Sequence, residues 1–139
     1  MAEDEIWAFL SASPPHTAKV ATVRSDGRPH VAPVWYDVED RSIVFNTSLE
    51  TVKGRNLTRT GWAALCVDDE RPPFAFVVAE GPVELSDEPE ALRRWATRIG
   101  GRYMGAHRAA EFGARNGVPP ELVVRLRPER FSAAVDLAD

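Results

Sequence analysis

Cysteine is all but absent: Cys66 stands alone in 139 residues, so no intrachain disulfide can form, and no Cys/His pair stands at zinc-ligand spacing. No metal site is expected. Lysine is almost as scarce, with Lys19 and Lys53 alone among seventeen basic residues, and twenty-one acidic residues bring the net charge to −4. A surface that follows a nucleic-acid backbone gathers an excess of basic charge on one face, so no nucleic acid is expected as a partner. Long apolar runs are missing as well. The longest, Phe74 to Ala79, stops at Glu80, well short of the roughly 18 residues that a membrane span needs. The opening Met1-Ala2-Glu3-Asp4-Glu5 is acidic where a secretory or transit leader is basic, so a cytoplasmic protein without a membrane partner is the expectation.

What the chain does contain suits one globular domain over 1–139. It is 44% hydrophobic and 27% charged, with no repeat or low-complexity linker, and at this length folding buries about two thirds of the unfolded surface. Ile6, Phe9 and Leu10 sit at helical spacing, and Ser13-Pro14-Pro15 ends that helix. Ala18 to Arg24 and His30 to Val38 flank Asp26-Gly27, the pair that supplies positive φ to a hairpin turn. Ser42 to Asn46 reads as a third strand. Trp62 to Val67 and Phe74 to Leu85 follow, the latter interrupted at Gly81-Pro82, and Glu121 to Arg127 alternates Leu122, Val124 and Leu126 inward. Between them, Leu92, Trp95, Ala96, Ile99 and Tyr103 form the apolar stripe of a helix, with Arg93, Arg94, Arg98 and Arg102 on a face read as solvated. A shorter helix spans about His107 to Arg115. The count is about six strands with three or four helices, a mainly β, α+β chain whose strands group as a closed antiparallel sheet.

The segment from Asn46 to Leu57 carries the most chemistry. Thr47-Ser48-Leu49-Glu50 fits a capping box that opens a helix running to about Thr60, with Leu49, Val52 and Leu57 toward the core and Gly61 ending it. Free N–H groups at such a start attract an anion, and Thr47, Ser48, Thr51, Lys53 and Arg55 add hydroxyls and positive charge. A capped surface helix with two exposed bases fits the same residues. Local spacing leaves both readings open.

The wider pattern adds to this. Val20-Ala21-Thr22-Val23-Arg24, then Asp26-Gly27-Arg28-Pro29-His30-Val31-Ala32-Pro33-Val34-Trp35-Tyr36, then Lys53-Gly54-Arg55-Asn56-Leu57, then Val78-Ala79-Glu80-Gly81-Pro82-Val83-Glu84-Leu85 resembles the pyridoxamine-phosphate-oxidase-like family in order and interval. Within it the chain is most similar, over residues 5 to 132, to the actinobacterial oxidoreductases dependent on the deazaflavin coenzyme F420. The resemblance implies a six-stranded antiparallel split β-barrel, the FMN-binding split barrel, with peripheral helices, paired as a homodimer with two cofactor clefts at the subunit interface. It implies that Ala32, Pro33, Val34 and Trp35, in a strand reaching Tyr36, lie along the ring of F420 or, alternatively, FMN. Asn46, Thr47, Ser48, Thr51, Lys53 and Asn56 would hold the phosphate-bearing tail, with Arg55 standing in for a second base that some relatives carry where this chain has Thr51. The loop Asp68 to Phe74, with Pro73 and Phe74 at its end, would reach over the partner's cleft and shape the choice of substrate.

Hydride transfer from a reduced deazaflavin to an unsaturated or conjugated small molecule is the implied reaction. It requires no Ser/His/Asp set, because the cofactor carries the chemistry and the protein supplies orientation and exclusion of water. Tyr36 is the candidate proton donor if it faces the cleft. His16, His30 and His107 read as surface or packing residues, Trp7, Trp62 and Trp95 as core or interface, and Cys66 as a small core residue. An FMN oxidoreductase on the same fold, or a non-catalytic flavin or haem carrier or sensor, are the alternatives.

Overall fold

The computed structural model describes residues 1–139. Gly27, at φ +90°, closes the tight turn between β1 (Ala18–Val23) and β2 (Pro29–Val34), which pair antiparallel with Val20 opposite Ala32. β1 also pairs with β5 (Trp62–Asp69), and β5 with β6 (Ala75–Ser86). β6 is one unbroken strand that changes partner at Gly81-Pro82. Its first half carries β8 (Arg130–Val135) and its second half β7 (Glu121–Leu126). The switch occurs where the backbone carbonyl of Arg127 lies so close to Gly81 that no Cβ fits. β7 then pairs with β4 (Ser42–Ser48), which pairs with β3 (Asp37–Glu39) at the far edge.

The result is an eight-stranded antiparallel sheet in the order β2-β1-β5-β6-β7-β4-β3, with β8 beside β6, curled into a split half-barrel. The six strands expected from sequence are joined by the short β3 and by β8. The run from His30 to Val38 is not one strand. Val34 pairs with Ala18, the first residue of β1, so β2 has no partner beyond it; Trp35 and Tyr36 cross to the other end of the sheet before β3 begins.

Inside the curl, Val20, Leu65, Val77, Phe45 and Val124 meet Leu57 of α2 (Val52–Thr60) and Leu10 of α1 (Glu3–Leu10). Each such fully buried aliphatic side chain is worth about 1.5–3 kcal/mol of apolar transfer. On the outer side of β4 and β7, Val44 and Val123 are covered by Leu92, Trp95 and Ile99 of α3 (Pro89–Met104). α3 folds back on α4 (Ala109–Asn116) through close contacts of Gly100 with Phe112 and Gly101 with Ala109.

Three sequence expectations are corrected here. The helix start is Thr51, whose hydroxyl accepts from the Gly54 N–H at 3.1 Å, so Thr47 and Ser48 belong to β4 and the capping box at 47–50 does not form. Leu49 and Val52 are consequently exposed, at 43% and 40%, whereas Leu57 is core. Arg93, Arg94 and Arg98 are exposed, as the solvated face requires, but Arg98 and Arg102 are also tied to the chain. Arg98 bonds Asp37, Glu39 and the Val38 carbonyl, and Arg102 donates to the carbonyls of Leu10, Tyr36 and Ala12. Burial works against ionisation of Glu39, yet Arg125, Arg94 and Arg98 together hold its carboxyl below the usual range. Cys66 sits half-buried on the outer face of β5 rather than in the core. No helix is long and apolar enough to cross a membrane.

Candidate functional site

Along β4, Ile43, Phe45 and Thr47 point into the curl, so Val44, Asn46 and Ser48 point outward beneath α3. The register with β7 sets Asn46 opposite Val123 and Ser48 opposite Glu121. Val44 and Val123 are capped by large side chains, but farther along the strand α3 offers only Ala96, Gly100 and the edge of Ile99. A cleft of about 190 Å³ opens there. Lys53 from the first turn of α2 enters from one side, Asn116 from the end of α4 borders it, and Pro33, Val34 and Trp35 form the wall.

Trp35 is held rather than loose. Its indole stacks on Tyr103 and meets Phe112 edge-on, with centroids 5.7 Å apart. The Tyr103 hydroxyl donates to the His16 carbonyl at 2.6 Å and accepts from the Tyr36 N–H at 3.3 Å.

The polar atoms of the cleft are unusually idle. Asn46 Nδ2 and Oδ1 and Glu121 Oε2 are shielded from solvent and have no hydrogen-bond partner in the chain. An unmet buried polar group costs about 1–3 kcal/mol, and most proteins leave few of them. These three atoms in one cleft are free to bond a ligand. Burial pushes the Glu121 carboxyl up, with Lys53 opposing that shift from nearby, although no ion pair within 4.0 Å joins the two.

The structure therefore brings together Pro33, Val34, Trp35, Asn46 and Lys53. It does not bring the remaining sequence candidates to the same cleft. Ala32 turns inward opposite Val20. Thr47 Oγ1 lies 3.1 Å from Thr51 Oγ1, Thr51 donates to the Ser48 carbonyl, and Ser48 Oγ accepts from the Glu50 N–H. Asn56 is buried, donating to Thr22 Oγ1 and accepting from Arg59. Arg55 is exposed on α2. Pro73 and Phe74 line a separate hollow with Phe9 and Val135. Tyr36 does not face the cleft: it is fully buried, its hydroxyl donates to the Leu10 carbonyl at 2.7 Å, and burial raises its pKa despite Arg102. The condition for its role as proton donor is not met.

Sequence reading missed Glu121, Asn116 and the small residues Ala96 and Gly100. One signal was available. With Leu122, Val124 and Leu126 inward, Glu121 falls with Val123 and Arg125 on the opposite face, which takes its carboxylate out of the core and toward α3.

The sequence profile of the pyridoxamine 5'-phosphate oxidase family matches residues 2–134. A pyridoxine/pyridoxamine 5'-phosphate oxidase of Burkholderia multivorans is 38% identical over 96 residues, covering 66% of this chain and 43% of its own length, so the chain spans under half of that relative. Among solved structures, a conserved hypothetical protein of Mycobacterium tuberculosis superposes with a TM-score of 0.84 at 28% identity, covering 98% of this chain and 86% of the other. An F420 reductase gives a TM-score of 0.67 at 24% identity, covering 85% and 90%, a likeness of fold.

Proposed function

Because the chain belongs to the pyridoxamine 5'-phosphate oxidase family, we propose that it is an oxidoreductase that binds the deazaflavin coenzyme F420 and passes a hydride from its reduced form to an unsaturated or conjugated organic molecule. The observation that carries this reading is the convergence of Lys53, Asn46, Glu121 and Trp35 on one cleft whose buried polar atoms have no partner in the chain. The fold is shared with a protein known as an F420 reductase, which accords with this reading.

When bound, the reduced deazaflavin supplies the hydride, and the chain's residues bind, orient and exclude water. Lys53 holds the phosphate as a charged donor, and the Asn46 amide meets hydroxyls of the adjoining chain. The main chain of Pro33 to Trp35 would bind the ring, with Trp35 kept in place by Tyr103. A cleft of about 190 Å³ is smaller than the roughly 300–1,000 Å³ of a complete small-molecule site. One subunit thus holds part of the cofactor, and a second copy completes the site.

The sheet offers a surface for that copy. Val31, Ala21 and Ala64 lie in one row across β2, β1 and β5, with Cys66 and Val78 in the next, and Pro33 at the cleft stands on the same strand face as Val31. In such a homodimer the loop ending in Pro73 and Phe74 borders the partner's cleft.

Equilibrium titration of the purified protein with F420 and with FMN, followed by fluorescence, tests the reading. The expected result is tighter binding of F420, and oxidation of its reduced form when a conjugated enone is added. Binding of neither overturns the proposal, tighter FMN binding moves the protein to flavin chemistry, and binding without turnover makes it a carrier.

A further inference from the structure

Lys53 and Glu121 share the cleft without closing an ion pair, so an anion brought to Lys53 also comes near a carboxyl group that burial has already made reluctant to ionise. No other titratable side chain lines the cleft. α3 contributes Ala96, Ile99 and Gly100, α4 contributes Asn116, β4 contributes Asn46, and β2 with its following bend contributes Pro33, Val34 and Trp35. Within one subunit, these two are the charged groups that line the cleft.

We propose that Glu121 is a specificity-determining residue that makes the Lys53 subsite selective for a phosphodiester, which carries one negative charge, over a phosphomonoester, which carries two. This rests on the cofactor reading above. A monoanion is matched by Lys53, and its neighbouring hydroxyls find acceptors in Glu121 and Asn46, whose idle atoms they satisfy. A dianion brings a further charge that Lys53 does not neutralise. Either the Glu121 carboxylate remains ionised and repels it, or the carboxyl takes up a proton as the ligand arrives, and both outcomes weaken binding. F420 has the phosphodiester and FMN the monoester, so one acidic residue biases the site toward the deazaflavin.

The test compares wild type with Glu121→Gln, which keeps the shape and removes the charge, and with Glu121→Ser as a second uncharged variant. Thermal melts establish that each variant is folded. The probes are phenyl phosphate and methyl phenyl phosphate, which share a ring and differ in phosphate charge, titrated by NMR at about pH 8, above the second phosphate ionisation near ~6. Both substitutions are expected to improve phenyl phosphate binding relative to the methyl ester by about tenfold. The same comparison with FMN and F420 should narrow the preference for F420 by a similar factor.

A ratio of the two esters that stays within about twofold in both variants overturns the charge filter, as does failure of either ester to bind any of the three proteins. If the ester ratio shifts as expected but neither FMN nor F420 binds, the filter stands and the cofactor reading fails.

Discussion

The indole of Trp35 lies flat against the phenol of Tyr103, with ring centroids 5.0 Å apart and planes 6° from parallel. Trp35 ends the wall of the cleft and Tyr103 belongs to the last turns of α3, so the stack ties the helical cover to the strand that the cofactor is proposed to line. An offset aromatic pair of this kind adds about 0.5–1.5 kcal/mol beyond its buried area. Tyr103→Phe should keep the stack and lose the bonds to His16 and Tyr36, lowering stability by about 1–2 kcal/mol with cofactor affinity nearly unchanged. Tyr103→Leu should weaken affinity as well, because Trp35 is freed. Urea unfolding and fluorescence titration of the two variants separate the effects.

Lys53→Ala is expected to weaken cofactor binding about ten- to a hundredfold, the equivalent of a charged hydrogen bond of about 1.5–3 kcal/mol. Lys53 makes no ion pair in the chain, so the fold should hold apart from the small support that Lys53 gives the Glu121 carboxylate. Unchanged affinity in the titration would remove the anion subsite.

Arg102 carries a structural load that its helix position conceals. Its guanidinium donates to the Leu10 carbonyl at 2.9 Å and to the Tyr36 carbonyl, and it lies 4.7 Å from the Tyr36 ring centre. Arg102→Met takes this donor from the Tyr36 carbonyl, while the Leu10 carbonyl keeps the Tyr36 hydroxyl, and should cost about 1–3 kcal/mol in urea unfolding. Lysine should rescue little of this, because a single ammonium cannot span several acceptors as a planar fork does.

The meander, the long amphipathic helix and the family itself were legible in the sequence because each rests on local signals: Asp26-Gly27 at a turn, the stripe from Leu92 to Tyr103, and apolar alternation in the strands. Pro33, Trp35, Asn46 and Lys53 were legible as a set only through resemblance. Glu121 was not, because it reaches the cleft through the pairing of β4 with β7, a contact that local spacing does not report. The hydroxyls of Thr47 and Thr51 misled for a related reason. The same residues that can hold an anion can also cap a helix, and here the chain uses them on itself.

Stability should also depend on pH through Glu121. Burial raises its carboxyl pKa in the folded state, against the opposing pull of Lys53, so the folded chain binds more protons than the unfolded one between the ordinary value and the raised one. Stability is therefore lost as pH rises through that window. Glu121→Gln should remove this slope, gaining on the wild type as pH increases and converging with it below the ordinary carboxylate range. Urea midpoints of both proteins across that interval measure the difference. Parallel curves would mean that Glu121 titrates normally.

The proposed homodimer makes the final prediction. Val31 is 66% exposed near the middle of β2, with Val23 at 49% and Trp62 at 45% on the same outer face of the sheet. Apolar side chains left open side by side on an edge strand and its neighbours favour association with a matching surface. A twofold pairing would cover the same patch on both copies. The wild type should sediment near twice 15.4 kDa. Val31→Asp places a charge where a free subunit is already solvated, so it should cost the isolated fold little, but it desolvates an unpaired carboxylate if that face is covered. The variant should therefore run as a monomer with its melting curve shape intact, and it should lose cofactor affinity because the cleft beside Pro33 no longer has its second wall. A monomeric wild type at micromolar concentration would contradict the shared cleft. A dimeric Val31→Asp would place the interface elsewhere, and a monomeric variant with full cofactor affinity would show that one subunit holds the whole site.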